Sequence, residues 1–69
     1  MTELVKLRED TIQRTIDGLL RFVAADGEVI LREETVEGDW YLAEAFTRLA
    51  HVDGLQVVHE DGKYTLGRK

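Results

Sequence analysis

The clearest pattern along the chain lies in "TIQRTIDGLLRFVAADG", where Ile12, Ile16, Leu19, Leu20 and Val23 recur on one helical stripe. Asp10 stands where an N-cap would, with Gln13 three residues on in a capping-box arrangement. Gly27 after "AAD" suits the left-handed conformation that closes a helix. The spacing predicts a helix over about 11–26. Gly18 inside it costs about 1 kcal/mol relative to Ala. Upstream, Leu4 and Leu7 stay in phase with the stripe and Thr2 offers a cap, so one longer helix is also readable. Read as alternation, Glu3-Leu4-Val5-Lys6-Leu7 is instead a short strand. The continuous phase through Thr11 and Thr15 favours helix.

"EVIL", residues 28–31, follows as a short β-branched run. "REETVEGD" then turns polar; either the strand continues through Val36 or a short helix covers residues 32–36. Asp39 is a candidate N-cap for a helix from Trp40 to Val52, with Leu42, Ala45, Phe46, Leu49 and Val52 as its buried stripe. Asp53-Gly54 ends it. Leu55 to Val58 and Lys63 to Leu66 read as a hairpin, because Asp61-Gly62 supplies the positive φ angles of a tight primed turn. Its tip carries His59, Glu60 and Asp61, an unexpected set for a loop that would approach phosphate.

Sixty-nine residues make one domain, spanning residues 1–69, and one that buries only about 60% of the surface its unfolded chain exposes. Below roughly 70–80 residues a core of this kind usually needs a staple. The chain has no cysteine, which excludes disulfides and thiolate metal sites and leaves oligomerisation, most simply a homodimer. Ser is absent too, so the commonest nucleophiles of covalent catalysis are missing, and so small a chain has little room for a deep pocket. No enzymatic activity and no cofactor are expected. A net charge of −5, from 14 acidic against 9 basic residues, argues against generic attraction to phosphate backbones or anionic membranes. No apolar run approaches the roughly 18 residues of a membrane span, and the charged start "MTELVKLRED" lacks the apolar core of a signal peptide. A soluble, cytoplasmic protein is the expectation.

The segment "FTRLAHVDGLQVVHEDGKYTLG" resembles the closing part of winged helix-turn-helix domains. The residues that carry the likeness are Leu49, Gly54, Leu55, Val57, Gly62, Tyr64 and Leu66: a Leu-rich helix end, Gly-Leu, a strand, a tight wing and a returning strand with an aromatic. The fold class this implies is α+β and winged-helix-like, with two main helices at about 11–26 and 40–52 and a small antiparallel sheet that includes the hairpin 55–66. Upstream, "LREETVEGD" is a poor version of the second helix the family carries. If that segment is strand, the result is a small sheet with two helices on one face.

The resemblance implies DNA binding in transcriptional control by a dimer, with Trp40 to Val52 as recognition helix. Its solvent stripe would be Glu44, Thr47, Arg48 and His51, with Tyr41 on the edge. Arg48 would read guanine and Thr47 would meet phosphate or a thymine methyl. Arg32, Lys63, Arg68 and Lys69 would contact phosphates. The residues themselves also support blander readings. Arg48 at i+4 from Glu44 is the spacing of a solvated surface pair. Trp40 reads as partly buried packing, with an interface anchor as the alternative. His51, Asp53, His59 and Glu60 include metal-ligand types but match no closed zinc spacing, so no metal site is assigned. Glu33, Glu34, Glu37 and Asp39 form an acidic face that would meet a basic protein partner or mimic nucleic acid. Two classes therefore stand: a dimeric DNA-binding regulator, or a non-enzymatic protein-interaction module or nucleic-acid-mimicking inhibitor. A designed or orphan domain without activity is the third.

Overall fold

The computed structural model describes residues 2–69. Six elements follow one another: α1 (Thr2–Asp26), β1 (Glu28–Arg32), α2 (Glu33–Gly38), α3 (Trp40–Leu49), β2 (Leu55–Glu60) and β3 (Lys63–Arg68). The strands form one antiparallel sheet in the order β1-β3-β2, with the helices packed against it. The class is α+β, with a winged-helix-like layout closed by a C-terminal hairpin.

α1 runs for 25 residues, or about 37 Å at 1.5 Å per residue, which equals the longest dimension of the molecule, 37 Å. The helix reading of residues 3–8 holds, and both the strand alternative and a start at residue 11 are overturned. Asp10 therefore lies in mid-helix and caps nothing. The Gln13 amide donates instead to Asp17 one turn on, at 3.2 Å. Ile12, Ile16, Leu19 and Val23 face the core, whereas Leu20 sits at the margin of the stripe and Leu7 is exposed. Gly27, at φ 89°, turns the chain from α1 into β1.

The segment after β1 is a short helix, so of the two open readings the helical one holds, and α2 adds to the two main helices α1 and α3. Its sequence is a poor helix former, and tertiary contacts hold it. Val36 is 1% exposed beneath α3 and the sheet, and the Glu33 N–H donates to the Gly62 carbonyl at 2.8 Å. Asp39 occupies the N-cap position of α3, but its side chain makes no capping bond. Its carbonyl accepts from Leu42 and Ala43. α3 ends at Leu49, three residues before Val52, because the next N–H groups of His51, Val52 and Leu55 bond to the carbonyl three residues back. That tightening lifts Val52 off the core stripe, and it is 45% exposed.

The hairpin matches its reading and is longer, reaching Glu60 on one strand and Arg68 on the other. Asp61 and Gly62 both take positive φ, 53° and 72°, as a primed two-residue turn requires. β3 is the central strand, and its Leu66 is completely buried among Leu19, Val23, Phe46 and Leu49. Both neighbouring strands are edges. Among the described residues no helix is long and apolar enough to cross a membrane.

Candidate interaction surface

α3 carries one cation, Arg48, and the fold commits it. Ala45, Phe46 and Leu49 anchor the buried side of the helix. Its flank lies against α1. Glu9 on α1 accepts two hydrogen bonds from the Arg48 guanidinium, at 2.7 and 2.9 Å. Glu44 adds a looser contact at 3.9 Å. The forked Arg48–Glu9 hydrogen bond holds the Glu9 carboxyl below the usual carboxylate range and pushes the guanidinium further up. Both side chains remain partly in water, so the pair contributes little stability. It does occupy the fork of donors that a guanine would need.

The other residues assigned to nucleic acid fall in separate places. Thr47 donates to the Ala43 carbonyl of its own helix at 2.9 Å. Thr47 and His51 stand on the rim of an open groove of about 340 Å³, floored by Val36, Phe46, Val57 and Tyr64. Tyr41 is half-buried at the other end of α3. Arg32 and Lys63 are register partners at the wing end of the sheet. Arg68 pairs with Leu55 at the opposite end, about 17 Å from Lys63 along β3 at 3.4 Å per residue. The Lys69 amide bonds to the Gly54 carbonyl there. The predicted contacts thus make no single cationic face.

The acidic residues are more coherent. Glu33 and Glu37 are one turn apart on α2, which lies over the hairpin. Glu33 meets His59 Nε2 at 2.9 Å, and the Tyr64 hydroxyl donates to Glu37 at 3.1 Å. His59 and Tyr64 are cross-strand partners, and their rings stack at 4.0 Å with an interplanar angle of 10°. Burial, the bond to Glu37 and the charges of Glu37 and Glu33 raise the Tyr64 phenol above its ordinary value. The imidazole at the hairpin tip is thereby turned inward as a latch for α2. Glu33, Glu37 and His59 bring three ligand-type atoms within 4.8 Å of one another. Two of the three already share a hydrogen bond and Glu37 accepts from Tyr64, so a cation there would have to displace both contacts. The i, i+4 spacing of Glu33 and Glu37 was the sequence signal for this cluster, and it speaks only once the segment is known to be helical.

Trp40 begins α3 directly after this acidic helix and is 51% exposed. Its ring meets Tyr41 edge-on at 5.6 Å and 87°, and the Arg8 guanidinium lies over it at 5.4 Å. Glu34, Glu37 and Asp39 precede it in sequence. The aromatic pair and the acidic helix therefore adjoin, with Trp40 held in place on one side and open to solvent on the other. Comparison with family models, curated proteins and solved structures returned no match to this chain.

Proposed function

We propose that this domain is a protein-interaction module that takes a basic partner segment across α2 and the start of α3. The carrying observation is Trp40, half exposed and braced by Tyr41 and Arg8, directly after the acidic run Glu33, Glu34, Glu37 and Asp39 along the chain. A rigid aromatic anchor with a cation on one ring face and an acidic helix running into it is the chemistry of an interface hot spot with a charged rim. A partner with Lys or Arg around an apolar side chain complements it: the apolar group covers Trp40 and the cations face α2. The net charge of −5 favours the same class of partner at long range.

The winged-helix-like order of elements favours a second reading, a DNA-binding regulator that presents α3. Fold alone does not fix function, and the occupied Arg48 weighs against it. One titration separates the two. A fluorescein-labelled Lys/Arg-rich peptide with a central Leu and a mixed-sequence duplex DNA are each titrated with the protein at 50 and 150 mM salt. The interaction-module reading expects micromolar peptide binding that survives 150 mM salt, at least tenfold loss with Trp40→Ala, and no DNA binding at either salt. Salt-sensitive DNA binding that Arg48→Ala abolishes would replace it with the regulator.

A further inference from the structure

β1 is the edge strand with the more exposed apolar surface, Ile30 at 53% against Val58 of β2 at 37%. An open groove of about 300 Å³ runs along it, lined by Leu19 and Phe22 of α1 and by Val29, Ile30 and Leu31 of β1. Phe22 is 60% and Ile30 53% exposed. The phase of the backbone bonds says which groups this edge offers. Glu33 continues the β1–β3 register and donates to Gly62. In an antiparallel ladder the bonded pairs recur at every second residue, so Leu31–Tyr64 and Val29–Leu66 are the bonded pairs. The N–H and C=O of Ile30 and Glu28, and the N–H of Arg32, then point away from β3 into the open edge.

The side chains of the same residues are self-complementary. Glu28, Ile30 and Arg32 lie on the exposed side of β1 and alternate with Val29 and Leu31, which face inward. A second copy placed antiparallel about a two-fold axis at Ile30 sets Ile30 against its own twin. It also sets Glu28 against the second copy's Arg32, and Arg32 against its Glu28. We infer that the β1 edge is the contact by which two copies of this chain join, extending two three-stranded sheets into one of six. Four backbone hydrogen bonds close across the axis, two between the Ile30 residues and two from Arg32 N–H to Glu28 C=O. Phe22 of each copy, on the inner side of the same edge, lies beside the axis where the new strand would cover it. Charges at both ends of a short edge strand ordinarily deter pairing. Here their opposite signs at symmetric positions admit one register and one partner, in a closed isologous contact. The dimer does not depend on what binds α2 and α3.

The test is a charge-swap series read by sedimentation at 1–500 µM protein and 150 mM salt, with circular dichroism to show that each variant is folded. The native chain is expected as a dimer. Glu28→Arg places Arg opposite Arg twice and should weaken the dimer about tenfold or more, because each opposed like-charge pair is destabilising. Arg32→Glu should do the same. The double variant Glu28→Arg/Arg32→Glu should restore the native constant, as should an equimolar mixture of the two single variants. A second readout uses the absence of cysteine. Ile30→Cys puts two thiols across a bonded pair with Cα atoms about 5.5 Å apart, within disulfide reach. Under mild oxidation it should cross-link at least tenfold faster than Val58→Cys, on the opposite edge strand. A monomer at 500 µM, a double swap that stays monomeric, or equal cross-linking at both positions would overturn the proposal.

Discussion

Two polar seams tie the helices of this small domain to their neighbours, and they spend charge in different ways. The α1–α3 seam joins a guanidinium to a carboxylate, Arg48 to Glu9, both permanently charged at neutral pH. The α2–hairpin seam joins two carboxylates to an imidazole and a phenol, Glu33 to His59 and Glu37 to Tyr64. In the first seam the cation of the exposed α3 face is consumed. In the second, one carboxylate has a neutral donor, so the negative charge of α2 is left largely unbalanced. The contrast teaches why a winged-helix-like layout need not carry a nucleic-acid reader's surface. The elements stand in the expected order, but the one cation of α3 is paired with Glu9, and Arg32, Lys63, Arg68 and Lys69 are exposed at the two ends of the sheet rather than on one face.

Removing what both seams rest on has the largest effect. Leu49→Ala truncates a side chain 2% exposed beneath α3, and should cost about 2–5 kcal/mol in urea denaturation. Both seams should then open together in one transition. A smaller change separates them. Gly62→Ala forces an alanine into positive φ at the wing turn and should cost about 1–2 kcal/mol. The nearest non-local atom to its new Cβ is a Glu33 carboxylate oxygen at 3.9 Å, so backbone strain is the whole effect. Amide exchange should quicken in the hairpin and α2 but not along α1. Trp40→Ala should touch neither seam. Its stability change should stay within about 0.5 kcal/mol in the same denaturation series, as for ordinary surface positions, while peptide affinity falls at least tenfold.

The smallest effects come from pH, and the two seams should respond at opposite ends of the scale. Glu9 has a carboxyl held low in the folded state by Arg48. Its contribution is present above the ordinary glutamate value of about 4.3 and is lost as pH falls through the lower folded value. Thermal melts of Glu9→Gln should lie below the native chain at pH 7 and converge with it in acid. Tyr64 is raised by burial and by its bond to Glu37. Its protonated form is the one the fold favours, so its contribution is complete below the ordinary tyrosine value of about 10 and is lost as pH rises beyond it. Tyr64→Phe should therefore melt below the native chain at pH 8 and draw level with it in alkali. A difference that tracks the wrong end of the scale in either variant would separate that seam from its assigned pair.

The parts of this arrangement legible in the sequence were local. Gly27, Gly54 and Asp61-Gly62 mark backbone positions that need positive φ, and all of them take it. The spacing of Ile12, Ile16, Leu19 and Val23 gave the core face of α1 correctly. What depended on distant partners was not legible. α2 is weakly helical by composition and forms because Val36 is buried and Glu33 is tied to Gly62. Glu9 and Arg48 lie 39 residues apart, and nothing in their local sequence pairs them. Val52 fitted the α3 stripe by period, but the helix tightens and ends before reaching it. The same limit applies to the surface. The stripe Thr47, Arg48 and His51 was read as a unit, and the fold turns Arg48 toward α1 while Thr47 and His51 border a groove.

Under the proposed function a basic partner binds the acidic α2 and the start of α3 and leaves the Arg48 face free. Chemical-shift mapping of the isotope-labelled protein with the Lys/Arg-rich peptide tests it most directly, because the chain has a single tryptophan and its indole N–H is one isolated signal. The largest shifts are expected at that indole and at the amides of Glu34, Glu37, Asp39 and Tyr41, with Thr47, Arg48 and His51 unmoved. Shifts concentrated at Thr47, Arg48 and His51, with a still Trp40 indole, would contradict it.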